Sequence, residues 1–410
     1  MKNLFDYLSQ SWKLEPLATV LVTLLWMIAV AGIAISFMAT FAGITSWVER
    51  RIAGRMMSRI GPNRVGPQGF LQWLADGLKC FLKEDVIPKE VDSLLFKFAP
   101  YIVFACTFAA FAGLPFGWGI VAANIDIGIL FIAAITTPVV IGILMAGWSS
   151  NNKWSLIGGV RSAAQIVSYE IPAGLAILTV VALAGTLNMQ GIISNQGGWP
   201  WEWHVFNNPF SFIAYFVFFA SILAEGNRTP FDLPEAESEL VAGYLTEYSG
   251  MRFVFFFFAE WANIWIMSAL LCTLFLGGWQ IPGIGDLSQA IAGASATGKS
   301  FLILLSVWVF FAKTLTLVFV VIWIRWTLPR LRVDQLMVMC WKYLVPIGFV
   351  TLMGSAVFAI LPREGLWELF QMSVRIALTA IGGIIVFLLI RQSFRNIRSM
   401  KDPIDLKIWE

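Results

Sequence analysis

The residues best suited to chemistry are carboxylates. Between Glu225 and Arg252 the chain reads EGNRTPFDLPEAESELVAGYLTEYSGMR, with Glu225, Asp232, Glu235, Glu237, Glu239 and Glu247 set against Arg228. A solvated acidic loop would account for the charge. It would not account for Phe231, Leu233, Leu240, Val241, Tyr244 and Leu245 in the same stretch, which point to partial burial. Clustered carboxylates that are partly buried cannot all ionise at once, so such a group takes up and releases protons near neutral pH. Glu260 in FFFFAEWANIW and Lys313 in FFAKTLTLVFV sit inside long apolar runs. Each would cost about 2.5–3.5 kcal/mol or more facing lipid, so each is expected to face a protein interior. For Glu260 the alternative is a depth shallow enough to snorkel. Glu170 in RSAAQIVSYEIP opens another apolar run, with Arg161 as a candidate partner. Together these groups predict a polar path leading into the apolar part of the molecule.

A second constellation is basic. WVERRIAGRMMSRIGPNRVGPQGFLQWLADGLKCFLKED, residues 47–85, carries Arg50, Arg51, Arg55, Arg59 and Arg64. Anchoring against anionic headgroups explains the charge alone. The GPNRVGP stretch adds a rigid turn, because two Gly-Pro steps restrict the backbone. Its sequel predicts a short amphipathic surface helix. Leu71, Leu74, Leu78 and Phe81 share one face, while Asp76, Lys79 and Lys83 lie on another.

Other chemistry is not indicated. Cys80, Cys106, Cys272 and Cys340 are far apart and form no CxxC, and His204 is the one histidine. Neither a disulfide framework, a metal site nor bis-histidine haem ligation is expected. Residues 293–300, GASATGKS, fit the phosphate-loop pattern. That pattern works only between a strand and a helix, and this stretch lies between two apolar runs, so it reads as a chance match. His204 stands among Trp199, Trp201 and Trp203, an interfacial aromatic belt in appearance.

The elements that must position these residues follow from composition. The AVILMFWYC set makes up 58% of the 410 residues and charged residues only 13%. A water-facing surface cannot be covered with so little charge, which excludes a soluble or disordered chain. The expectation is an all-α integral membrane protein, a polytopic bundle of about nine transmembrane helices. Spans are predicted at 17–47, 98–115, 129–148, 170–187, 210–225, 253–276, 301–325, 343–361 and 374–391. The uncharged run from Pro16 to Val48 is 33 residues, too long for a cleaved signal and long enough to tilt. With the N-terminus outside, 22 Lys and Arg fall on the cytoplasmic side and five outside, Lys313 being in a span. That asymmetry predicts an outer N-terminus and a cytoplasmic C-terminus. No internal repeat is visible, which disfavours an inverted-repeat transporter.

Four blocks carry a resemblance: ERRIAGRMMSRIGPNRVGPQGFLQWLADGLKCFLKED, WSLIGGVRSAAQIVSYE, LAEGNRTPFDLPEAESELVAGYLTEYSGMRF and RWTLPRLRVDQLMVMCWK. They closely resemble the H subunit of respiratory complex I, the proton-pumping NADH:quinone oxidoreductase of the bacterial inner membrane. The resemblance covers about Leu17 to Leu361. It implies a domain over 1–361 and a C-terminal extension over 362–410 with a ninth span and a basic tail. It implies a quinone chamber walled by the first span, the surface helix and the sixth span, with Glu49, Arg50, Arg59, Arg64, Asp76 and Lys79 at matching positions. It also implies a polar funnel through Arg161, Glu170, Glu225, Arg228, Asp232, Glu235, Glu237, Glu239, Glu247 and Glu260. Lys313 joins that path from the reading of the spans. Arg330, Arg332 and Asp334 match positions near the junction with the peripheral arm. Where the family often has tyrosine, this chain has Val333 and Trp261, so hydrogen bonds are not expected there.

Quinone would be the substrate. No metal, haem, flavin or iron–sulfur centre is expected on this chain, so electrons would arrive from an iron–sulfur subunit of the peripheral arm. The implied partners are the peripheral-arm subunits, small membrane subunits, antiporter-like subunits and lipid, without nucleic acid. The nearest alternative is the equivalent subunit of a membrane-bound hydrogenase or other-donor dehydrogenase.

Overall fold

The computed structural model describes residues 16–234, 237–285, 287–360 and 370–381, with single positions at 384, 388 and 391. Side chains are undescribed at a few of these, Glu237 among them. The architecture is helical throughout, and the one β-bridge among the described residues joins Gly117 and Ile120. The main helices are α1 (Pro16–Met56), α2 (Gln72–Leu82), α3 (Ser93–Ala109), α4 (Gly128–Thr136), α5 (Pro138–Ser149), α6 (Lys153–Ala184), α7 (Pro209–Glu225), α8 (Gly250–Phe275), α9 (Ala296–Thr327), α10 (Val333–Val338) and α11 (Val345–Ile360). Among the described residues, seven helical stretches are long and apolar enough to cross a membrane, and Pro209–Glu225 and Phe370–Ile381 are shorter apolar helices. The first eight predicted spans each coincide with one of these stretches. The ninth is described only in part.

Two helices organise the bundle. α8 is the most buried span, packed against α3, α7 and α9. It brings Trp261, Trp265 and Phe275 to full burial. α6 is the second hub, lying against α5, α7 and α11. α1 is the outermost span, held by α8, α9 and the surface helix α2.

Prolines inside helices remove an N–H and free the carbonyl four residues earlier. Here those carbonyls find partners on neighbouring elements. Pro100 frees the Phe96 carbonyl, which accepts from the Tyr248 hydroxyl at 3.2 Å. Pro172 frees the Ser168 carbonyl, which accepts from Cys340 Sγ at 2.9 Å. Each proline thereby ties its helix to a distant segment, the loop before α8 in one case and the π-helical turn Met339–Leu344 in the other.

Several boundaries differ from the sequence reading. α1 continues to Met56, so Glu49, Arg50, Arg51 and Arg55 lie on the helix and only Arg59 and Arg64 lie beyond it. The fourth span begins at Lys153, seventeen residues before Glu170. Glu170 is therefore inside a helix rather than at its mouth. Polarity misled here: KWSLIGGVRSAAQ is too polar to read as a span, yet its small residues let α6 pack closely on its neighbours. The surface helix forms as expected, with Leu74, Leu78 and Phe81 exposed on one side.

Candidate functional site

The acidic loop is folded into the bundle. Phe231, Leu233, Leu240, Tyr244 and Leu245 are all buried, whereas Val241, also expected inside, is exposed at positive φ. The close approach of the loop to α6 depends on Gly158. A Cβ there would meet the Gly243 backbone at 2.7 Å, so any larger residue would push the loop off. Gln165, about two turns along α6, anchors the loop's start by donating to the Ala224 carbonyl at 2.6 Å and to Asn227 Oδ1 at 3.2 Å.

This fold drives Arg228 into the interior, where it is 5% exposed. Its guanidinium carbon lies 4.5 Å from the Trp261 ring centroid, and Nη2 is 4.0 Å from Glu260 Oε2. The Tyr244 hydroxyl donates to Glu260 Oε1 at 3.1 Å. Glu260 thus faces the protein, not lipid. Trp261 makes no hydrogen bond through its indole N–H and serves Arg228 through its ring.

One turn along α8, Asn263 Nδ2 donates to the Glu225 carbonyl at 3.2 Å. Glu225 in turn faces Glu170 and the Asn263 side chain. A cavity with about 20 Å³ of room for water lies between these groups, lined by Glu225, Asn227, Tyr244, Glu260 and Asn263. That is enough for about one water molecule. Glu225 and Glu260 therefore line one water-sized space, together with Thr107, Thr136, Asn227, Tyr244, Asn263 and apolar side chains.

The remaining acids fall into different settings. Asp232 is buried and pairs with Arg330 at 3.0 Å, while the Leu331 N–H donates to the Pro230 carbonyl at 3.0 Å. The acidic loop and the loop before α10 are thereby joined. Arg332 and Asp334 sit at the start of α10. Arg161 pairs with Glu239 at 2.7 Å, on the surface, and not with Glu170, its candidate partner in the sequence. Once Glu170 is inside α6, it is nine residues and more than two turns from Arg161. Glu247 accepts from Asn152 Nδ2 at 2.7 Å. Glu235 lies outside the described residues, as does the Glu237 side chain.

Lys313 stands apart from this path. Its ammonium donates to the carbonyls of Leu276, Gly278 and Gln280 at 2.8, 3.1 and 3.0 Å and lies 4.2 Å from the Trp203 ring centroid. Those carbonyls follow the far end of α8, sixteen residues beyond Glu260, or about 24 Å along a helix. Lys313 caps a helix terminus there. His204, at the same end, is buried within the protein, and desolvation lowers its pKa to about 4.

The basic segment builds a second cluster around α1 and α2. Glu49 is buried and pairs with Arg325 on α9 at 2.6 Å. Arg50 pairs with Asp76, which also accepts from Gln72 at 2.8 Å. Trp73 packs flat against the space left by Gly43, seating α2 on α1. The GPNRVGP turn closes tightly, with Gly66 at φ 71° and Gly69 at φ 73° against the Pro62 carbonyl. Arg59, Arg64 and Lys79 are exposed.

Sequence reasoning missed Arg325, Asn263, Tyr244 as a donor, and Gln165. Asn263 carried a signal, being three residues from Glu260 and so on the same helix face. Arg325 and Gln165 carried none, because their partners are 276 and 62 residues away.

The profile of the NADH dehydrogenase family matches residues 28–356. The H subunit of the NADH-quinone oxidoreductase of Anaeromyxobacter dehalogenans is 51% identical over 94% of both chains. Its counterpart in Chlorobaculum tepidum, also an NADH-quinone oxidoreductase H subunit, is 47% identical over 82% of this chain and 93% of its own. NADH-quinone oxidoreductase subunit 8 of Rhodothermus marinus is 45% identical over 82% of this chain and 99% of its own. With a family profile covering most of its length and near-full-length relatives of that kind, the chain belongs to the NADH dehydrogenase family.

Proposed function

We propose that this chain is the H-type membrane subunit of a proton-translocating NADH:quinone oxidoreductase in a bacterial inner membrane. Its N-terminus lies outside and its C-terminus in the cytoplasm, in keeping with the Lys and Arg asymmetry. Residues 1–361 form the shared core and 362–410 an extension. Its partners are the peripheral-arm subunits that deliver electrons, small membrane subunits and antiporter-like subunits.

In this reading the quinone headgroup approaches the flank of α1 that carries α2. Glu49, Arg50, Arg59, Arg64, Asp76 and Lys79 supply the charge there. Reduction of a quinone to a quinol consumes two electrons and two protons. Before protonation it places negative charge close to this end of the bundle. Glu170, Glu225, Asp232, Glu235, Glu237, Glu247 and Glu260, with Arg228, respond by changing how protons are shared among the acids, and the exposed Arg161–Glu239 pair marks the rim of that path. Glu225 and Glu260 are the core of the relay, and Arg228 holds Glu260 in place.

The observation that carries this reading is the water-sized cavity lined by both Glu225 and Glu260, with Arg228 buried close to Glu260. A water there would bridge two acids that are otherwise separate, and a bridged pair can pass a proton in either direction. The test is Glu225→Gln and Glu260→Gln, each in the assembled complex. Both should lower the ratio of protons pumped to electrons transferred while the subunits still co-purify. An unchanged ratio in both assembled variants would sink the proposal.

A further inference from the structure

A groove of about 290 Å³ runs between α1 and α9, on the outside of the bundle. Phe37, Ile44 and Val48 form one wall, and Phe311, Leu315 and Ile322 the other. Thr40 and Thr45 also line it, but their hydroxyls donate to the carbonyls of Ser36 and Phe41, at 2.9 and 2.7 Å. Each hydroxyl has committed its proton and keeps only acceptor lone pairs. With its other lining side chains all apolar, the groove suits hydrocarbon.

Its length restricts what that hydrocarbon is. From Phe37 to Val48, and from Phe311 to Ile322, each wall rises about 16 Å at 1.5 Å per residue. That is about half of the roughly 30 Å hydrocarbon core, the depth of one leaflet. A partner's transmembrane helix would need the full depth. One acyl chain of a single leaflet would not.

The end of the groove restricts the headgroup. Continuing the two stripes at 3.6 residues per turn places Arg51 and Arg55 on α1, and Arg325 on α9, above the groove. Arg55 is exposed. Arg51 lies over Trp47 and uses one donor on Gln68, and Arg325 uses one on Glu49. A guanidinium has five N–H donors, so each retains several. Arg50 and Gly43, which hold α2, lie on the opposite side of α1 from the groove, and Glu49 reaches Arg325 between the two faces.

We propose that this groove binds one acyl chain of an anionic phospholipid, whose phosphate rests against Arg51, Arg55 and Arg325. The length matches one leaflet, and the charge matches a headgroup rather than the neutral head of a quinone.

The intact complex, reconstituted in nanodiscs, would be irradiated with a phosphatidylglycerol or a phosphatidylcholine carrying a diazirine in mid-chain, and the labelled peptides mapped. Phosphatidylglycerol should label both walls, 37–48 and 311–322, about tenfold more than phosphatidylcholine. Leu315→Trp, which fills the groove, should remove most of that label. Arg55→Gln should lower the headgroup preference about fivefold. If Leu315→Trp does not assemble, Phe319→Trp at the adjacent lining position reads the same quantity. Equal labelling by both lipids would reduce the groove to bulk lipid contact. Absence of label at both walls would mean a neighbouring subunit covers it. Displacement of the label by a long-tailed quinone would make it a quinone path. Each of these three results overturns the proposal.

Discussion

Arg228 is stacked on Trp261, with 4.5 Å between the guanidinium carbon and the ring centroid, and it faces Glu260 from that position. A buried cation needs both a counter-charge and a surface that tolerates it. Glu260 supplies the first and the indole face the second. A desolvated cation–π contact contributes about 2 kcal/mol.

Trp261→Phe and Trp261→Leu therefore separate bulk from ring chemistry. Trp261→Phe keeps a π face, and its assembled complex should retain most of its pumping. Trp261→Leu keeps apolar bulk without that face, so Arg228 is left less stabilised. Its complex should unfold at lower temperature and pump less per electron. Indistinguishable thermal curves and proton ratios for the two variants would contradict the role given to the ring.

Glu239 offers the opposite case. It is paired with Arg161 but 59% exposed, and such surface pairs contribute about 0–1 kcal/mol. Glu239→Gln should leave quinone turnover and pumping within about twofold of wild type. Glu225→Gln, in contrast, should lower pumping roughly tenfold, or about 1.4 kcal/mol. Steady-state NADH:quinone rates measured alongside proton uptake give both numbers.

The turn before the surface helix makes a backbone prediction. Gly69 has φ 73°, and a Cβ there would collide with the Pro62 carbonyl. Gly77, within α2, has nothing within 4 Å of its Cβ position. Gly69→Ala should displace α2 and abolish most quinone reduction. Gly77→Ala should be neutral or stabilise by up to about 1 kcal/mol, since alanine is the better helix former. Limited proteolysis at residues 59–71, with the quinone assay, distinguishes the two.

His204 predicts a pH dependence at the opposite end of the molecule. Burial lowers its pKa from 6.5 to about 4, so the unfolded chain binds its proton first. Stability should be fully present above about pH 6.5 and fall as the pH drops towards 4. Over that window the loss approaches about 3 kcal/mol. His204→Gln should flatten this part of the profile of unfolding temperature against pH. A wild-type profile no steeper than the variant's between pH 6.5 and 4 would refute it.

The chemistry of the site was legible in the sequence to an uneven degree. Glu260 and Lys313 stood out equally, as charges in apolar runs. The structure separates them, one into the acidic cluster and the other onto three carbonyls at the far end of α8. Hydropathy reports that a charge needs an interior partner and does not say which. Glu170 and Arg161 looked like a pair because they are close in sequence, yet Arg161 reaches Glu239, 78 residues away.

The sequence by itself determined the membrane bundle, its first eight spans apart from the start of the fourth, the surface helix and the candidate acids. Those follow from composition and periodicity, which act locally along the chain and are set by the cost of exposing backbone and charge to lipid. Only the tertiary structure decided that Glu225 and Glu260 share one cavity, that Arg228 lies on Trp261, and that Glu49 meets Arg325. Such pairings join segments far apart in the chain. They are fixed by which helices pack together, and that depends on the whole interior filling at once.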